Sequence, residues 1–195
     1  MKKLVYISIF VLCCLLAGCR AQAPLEQVQG LSKEEAAQIA ATAVRKYYHL
    51  QVDTKNREIT LEDPSQLIDS ATGKPIYKGI PVHALLKDKP AAGDIYGFHA
   101  IIEPQTRQVL SLSVDVIGTD GERATQEVPE EALEKAAADF IRTQKLLAPA
   151  SFELVKTSDV STQTSKRYFY YSDGQHAIAI GVDTDLQQVV TFTYD

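Results

Sequence analysis

The sequence predicts an α+β fold made of two tandem units, each a single helix packed on a four-stranded antiparallel sheet. Three observations predict it. Two alanine-rich segments carry a helical period and align at a shift of 97 residues, placing Ala40 on Ala137, Val44 on Ile141 and Arg45 on Arg142. Two segments with a strand-turn-strand pattern, 103–115 and 183–195, align at a shift of 80 residues. The strand-like runs after each helix are joined by hairpin-length connections, which calls for an antiparallel sheet covered on one face by that helix.

The chain begins with Lys2 and Lys3, continues in a thirteen-residue, mostly apolar run from Leu4 to Leu16, and then has the small residues Ala17 and Gly18. This is the pattern of an export signal, and its apolar run falls short of the about 20 residues needed to cross a bilayer. The junction Leu16-Ala17-Gly18-Cys19 resembles the lipobox of bacterial lipoproteins. That resemblance implies cleavage after residue 18 and a diacylglyceryl group on the Cys19 sulfur. Residues 1–18 are therefore read as a lipoprotein signal peptide. The mature protein is expected to be lipid-anchored on the extracytoplasmic side of a bacterial envelope membrane, where two acyl chains hold stably and one holds weakly. Cys13 and Cys14 leave with the signal and Cys19 is modified, so no thiol remains for a disulfide, a nucleophile or a thiolate metal site. Loss of Lys2 and Lys3 leaves 18 basic residues against 25 acidic ones. Such a chain is expected to have no nucleic-acid partner, and an apolar share of 45% excludes a disordered one.

Residues 19–30 are polar, contain Pro24 and show no apolar period, and are expected to form a lipidated tether reaching at most roughly 35 Å. The first unit, 31–117, opens with Ser32 as cap and Glu35 three residues on, the pattern of a capping box. Ile39, Ala43, Val44 and Tyr47 then share one face of a helix over about 33–49. Strands follow over about 57–62, 76–87, 95–103 and 108–116. The two alignment shifts differ by 17 residues, so the first unit carries an insertion, placed at 63–79 by its two Pro and two Gly. Residues 118–127 form the linker. The second unit, 128–195, starts its helix at Val128-Pro129-Glu130-Glu131 and runs to about 146, with Leu133, Ala137, Phe140, Ile141 and Gln144 on one face. Its strands are expected near 152–157, 166–171, 176–183 and 188–194. Units this small are marginal alone, so the pair is expected to share an interface.

The order of a Ser32-Lys33-Glu34-Glu35-Ala36 helix start, a short strand and a hairpin ending Glu103-Pro104-Gln105-Thr106-Arg107-Gln108-Val109-Leu110 resembles PepSY-type domains. The resemblance implies a cystatin-like helix-on-sheet fold for both units. That family occurs in peptidase propeptides and envelope proteins, which implies binding or regulation of a peptidase. The Gly that commonly follows Thr in this turn is Arg107 here, and in the second unit Asp185-Leu186 replaces the Thr-Gly pair.

The sequence holds no His-Glu-x-x-His, no Gly-x-Ser-x-Gly, no phosphate-cradling Gly-rich loop and no calcium loop. His49, His83, His99 and His176 are dispersed along the chain, and the repeat alignment puts His99 and His176 on opposite sheet faces. No metal site, no cofactor and no catalytic residue is expected, and the chain is read as not an enzyme. Asp183 and Asp185 are read as turn residues that hydrogen-bond locally.

Asp173-Gly174 between alternating strands predicts a two-residue hairpin turn. Tyr171 would then oppose His176, Tyr170 Ala177, Phe169 Ile178 and Tyr168 Ala179. Phe169, Ile178, Ile180 and Val182 would face the helix, leaving Tyr168 and Tyr170 over Ala177, Ala179 and Gly181 on the other face. A flat tyrosine surface of this kind either packs against the rest of the chain or meets a partner. The loops at 70–75 and 87–93 are further candidate surfaces. The functional expectation is a membrane-anchored, non-enzymatic lipoprotein that binds or regulates another envelope protein, with Tyr168 and Tyr170 as partner-binding residues and a peptidase as the partner the resemblance implies. The alternative is a lipoprotein that binds a small molecule or cell-wall fragment in a cleft between the units.

Overall fold

The computed structural model describes residues 25–87, 95–116, 128–148, 151–159 and 165–195. The expected signal peptide, the expected lipidation site Cys19, most of the expected tether, the loop at 88–93 and the expected linker 118–127 lie outside the described residues. The described chain is mixed α+β, with two helices and one large antiparallel sheet.

The tether ends sooner than its polarity suggests. Gln27–Val28 (β1) and Leu31–Ser32 (β2) pair as a small hairpin around Gln29 and Gly30, both at positive φ. Val28 and Leu31 are buried in the core, so residues 27–30 belong to the globular part. Two apolar side chains hidden from water outweigh a polar local composition.

Helix α1 spans Lys33–Tyr48, with the Ser32 hydroxyl accepting the Glu35 amide at 3.2 Å. The Glu35 carboxylate does not close a capping box; it pairs with Arg107 Nε at 3.1 Å. Helix α2 spans Glu130–Gln144, with Glu130 and Glu131 in the first turn favouring its positive end. Ala40 and Val44 of α1, and Ala137 and Ile141 of α2, are fully buried, so the aligned positions of the two helices present matching faces to the sheet.

The strands are β3 (Arg57–Leu61), β4 (Ile80–Leu86), β5 (Ile95–Ile102), β6 (Val109–Val116), β7 (Glu153–Thr157), β8 (Lys166–Ser172), β9 (Ala177–Asp183) and β10 (Gln188–Tyr194). They form one continuous sheet in the order β3-β4-β5-β6-β10-β9-β8-β7. Two separate four-stranded sheets are therefore not what forms. The strands before and after α2 occupy the two halves of a single sheet, joined where β6 pairs with β10. One buried row crosses it, through Leu61, Val82, Ala100, Leu112, Phe192, Ile180 and Phe169 as successive cross-strand partners. Both helices cover this row, and all of it belongs to one core. Over the joint, Tyr48 of α1 stacks on Phe140 of α2 at 5.9 Å and donates its hydroxyl to the Leu112 carbonyl at 2.8 Å. Burial pushes that phenol well above its ordinary pKa.

The hairpin after β8 differs in register from the expectation. Tyr171 faces Ile178, Tyr170 faces Ala179, Phe169 faces Ile180 and Tyr168 faces Gly181. Asp173 causes the shift, its Oδ1 accepting the amides of Gln175 and His176 at 3.0 and 2.7 Å. A loop closed by a side chain is longer than the two-residue turn read from Asp-Gly. The shift is two residues, so each side chain keeps its face, and Phe169, Ile178, Ile180 and Val182 all enter the core. His176 falls in the turn and not on a strand.

Strand β4 starts at Ile80 and not near 76. Residues 67–76 instead form their own small arm, in which the Ile76 amide bonds to the Leu67 carbonyl at 2.8 Å and Ile68 bridges Pro75. No helix among the described residues is long and apolar enough to cross a membrane.

Candidate functional site

Both helices cover one face, so the opposite, bare face of the sheet is covered by no helix among the described residues. A cross-strand row on it runs through Ile101, Ser111, Thr193, Ala179, Tyr170 and Lys156, taken from β5, β6, β10, β9, β8 and β7 in spatial order. All six line one cleft of about 640 Å³, a size usual for ligand sites. Its floor is made of small side chains, Ser111, Thr193, Ala177 and Ala179. One wall is the end of the inserted arm, Ile76, Tyr77 and Lys78, and the other is the edge strand β7 with Val155 and Lys156. A bulge between Leu154 and Lys156 turns Val155 outward. Ile76 is 57% and Val155 62% exposed, so two aliphatic side chains stand in water at the rim.

The two tyrosines singled out in the sequence have different surroundings. Tyr170 lines the cleft, with the Lys156 ammonium 4.3 Å from its ring centroid. Tyr168 lies two residues away along the same strand β8 and is not among the lining residues. It sits on Gly181 so closely that a Cβ there would come within 2.9 Å of Tyr168 Cε1 and 3.0 Å of Thr191 Cβ. The loop at 70–75 forms the outer part of the inserted arm, beside the cleft wall and apart from its floor.

From the cleft floor onward along the β6–β10 joint the bare face is polar. Ser111 and Thr193 hydroxyls meet at 2.7 Å and Ser113 and Thr191 at 2.9 Å, stitching β6 to β10. The nearly buried Lys166 donates to Ser113 Oγ and to Asp115 Oδ1, each at 3.2 Å.

Sequence reasoning missed one arrangement. His83 on β4 and His99 on β5 are direct cross-strand partners, stacked with ring centroids 4.4 Å apart and an interplanar angle of 20°. Glu62 Oε1 lies 3.4 Å from His83 Nε2. Burial and then the neighbouring His83 hold the His99 pKa below its ordinary value, only partly offset by Glu62 and Asp115. The long connection between β4 and β5 hid their register, so no local pattern announced the pair. Among the described residues no three His, Cys, Asp or Glu come together to hold a metal ion.

The turns of the two halves correspond in detail. The Glu103 carboxylate accepts from the Thr106 amide and hydroxyl, and Asp183 Oδ1 accepts from the Asp185 and Leu186 amides at 2.9 Å each. Arg107 and Gln187, where a glycine would be at ease, have φ of 62° and 53°. Arg107 is held by its own side chain, which reaches the Pro104 and Gly30 carbonyls and Glu35.

No family model and no curated protein matches the chain. Among solved structures it is similar to the C-terminal domain of Bacillus megaterium YpeB, at 11% identity and a TM-score of 0.49. The likeness covers 83% of this chain and 62% of that one, so the chain spans less than two thirds of that structure.

Proposed function

We propose that the chain is a lipid-anchored, non-enzymatic binding module of a bacterial envelope, built from two PepSY-like units fused edge to edge, that holds another protein against the bare face of its sheet. The single observation that carries this is the cleft, which draws Ile101, Ser111 and the inserted arm from one half and Thr193, Ala179, Tyr170 and Val155 from the other. Exposed aliphatic side chains beside tyrosines are the composition of protein interfaces. The sequence resemblance makes an envelope peptidase the first partner to test. The anchor on Cys19 would raise the local concentration of the module at the membrane.

The test is a photo-crosslinking amino acid in place of Val155, in the full chain in intact cells. A discrete protein adduct is expected, and it should be lost when Tyr168→Ala and Tyr170→Ala are combined. An adduct pattern no different from that of a crosslinker on the outer face of α1 would overturn the proposal.

The second proposal is a small molecule or wall fragment in the same cleft, favoured by its volume and mainly apolar lining. A ligand-dependent rise in the melting temperature of the purified chain, with no protein adduct in cells, would favour it.

A further inference from the structure

The cleft is elongated, and its two ends carry charge of one sign. The row from Ile101 to Lys156 crosses six strands, or five interstrand steps of ~4.8 Å, so the trough is ~24 Å long. At the β7 end stands Lys156. At the β5 end stands Lys78, next to Gly79, whose Cα abuts the backbone of Ile102 and Glu103. Both lysines are exposed, and neither has a carboxylate within ion-pair distance among the described residues, in a chain of net charge −5. Between them the lining is aliphatic and aromatic, apart from small hydroxyl side chains on the floor and Asp195 at the side.

We infer that the trough takes one extended segment of a partner polypeptide, about seven residues long, apolar in the middle and acidic at both ends. This rests on the binding-module proposal and specifies its occupant. An extended chain rises ~3.3 Å per residue, so seven residues match the ~24 Å of the row from Ile101 to Lys156. Ile76 and Val155, costly to leave in water, would be covered by the apolar middle. Asp195 repels a carboxylate placed centrally, which restricts acidic groups to the ends. A single-chain amphiphile carries one head group and engages one lysine; a segment with two acidic ends engages both.

The probe is a fluorescein-labelled heptapeptide with Glu at each end and Val, Thr and Leu between, titrated by anisotropy against the full lipidated chain in nanodiscs. Saturable binding is expected, weakening as salt rises. Lys78→Glu combined with Lys156→Glu should weaken it about tenfold, and a peptide with Lys at both ends should bind at least about tenfold less tightly than the Glu peptide. The milder pair Lys78→Gln and Lys156→Gln, checked by circular dichroism melting, gives the same direction in a chain of unchanged fold. No binding, equal affinity for the two peptides, or wild-type affinity in the folded double variants would overturn the inference. So would dodecanoate binding more tightly than the peptide through the same two lysines. A cellular adduct at Val155 that survives both lysine changes would sink the acidic-ended segment and leave the binding module standing; peptide binding without any cellular adduct would do the reverse.

Discussion

Leu112 faces Phe192 across the β6–β10 pair, and the two hold the same position in the segments that align at a shift of 80 residues. The pairing is reciprocal around them, Ser111 with Thr193 and Ser113 with Thr191, as in the contact of two identical subunits about a two-fold axis. The pairing leaves neither β6 nor β10 as a sheet edge, and both halves of the sheet share one core.

A merged core should unfold as one. Phe192 is fully buried and touches the rings of Tyr47, Tyr48, Phe140 and Tyr194. Phe192→Ala should cost about 3–5 kcal/mol, and calorimetry should show a single transition moving to lower temperature. Two separate transitions, with only one of them shifted, would mean that the halves are independent.

Acid should weaken the turn after β8. Amides of His176, Gln175 and Ala148 hold the Asp173 carboxyl at a pKa of about 2. A carboxyl whose folded pKa lies below its unfolded value stabilises fully above the unfolded value near 4 and loses that contribution as pH falls toward 2. Melting temperatures measured from pH 7 to pH 2 should fall less steeply below pH 4 in Asp173→Ala than in the unaltered chain, from a lower starting point.

The histidine pair has its own window. The His99 pKa is lowered in the folded chain, so the unfolded chain binds the proton more readily. Stability should therefore decline as pH drops through 6.5 and go on declining until the folded pKa is passed. In His99→Gln this decline should be smaller between pH 7 and pH 5. By NMR, His99 in the unaltered chain should titrate below 6.5, and a midpoint above that value would contradict the stacked, buried arrangement.

Two turns isolate backbone strain from side-chain contact. Gln187 adopts a left-handed φ of 53°, which costs a side-chain-bearing residue about 1–2 kcal/mol, while glycine loses about 0.5–1 kcal/mol more entropy on folding. Gln187→Gly should thus stabilise by about 0.5 kcal/mol, read by urea denaturation. Arg107→Gly should destabilise, because the contacts to Gly30, Pro104 and Glu35 are lost along with the strain. Arg107→Ala should be worse still, since it keeps the strain.

Tyr168 and Gly181 form a close-fitting pair. Gly181→Ala should destabilise by about 1–3 kcal/mol because the new methyl group overlaps the tyrosine ring. In a background of Tyr168→Ala the same change should cost much less. Equal costs in both backgrounds, measured as a double-mutant cycle, would show that the two do not touch.

Local periodicity sufficed for the helices, for most strands and for the face each residue takes, because a helix repeats every 3.6 residues and a strand every two whatever lies beside them. Even the misjudged turn at Asp173 preserved the faces of Phe169 and Tyr170, since its error was an even number of residues. Periodicity carries no information on which strand edges meet. That β6 would pair with β10, that Val28 and Leu31 would bury the end of the tether, that His83 would stack on His99, and that Ile76 would stand opposite Val155 across an open trough all depend on contacts between segments far apart in sequence. Those contacts form because the assembled sheet hides apolar area that no segment could hide alone, a term that exists only once the segments are together.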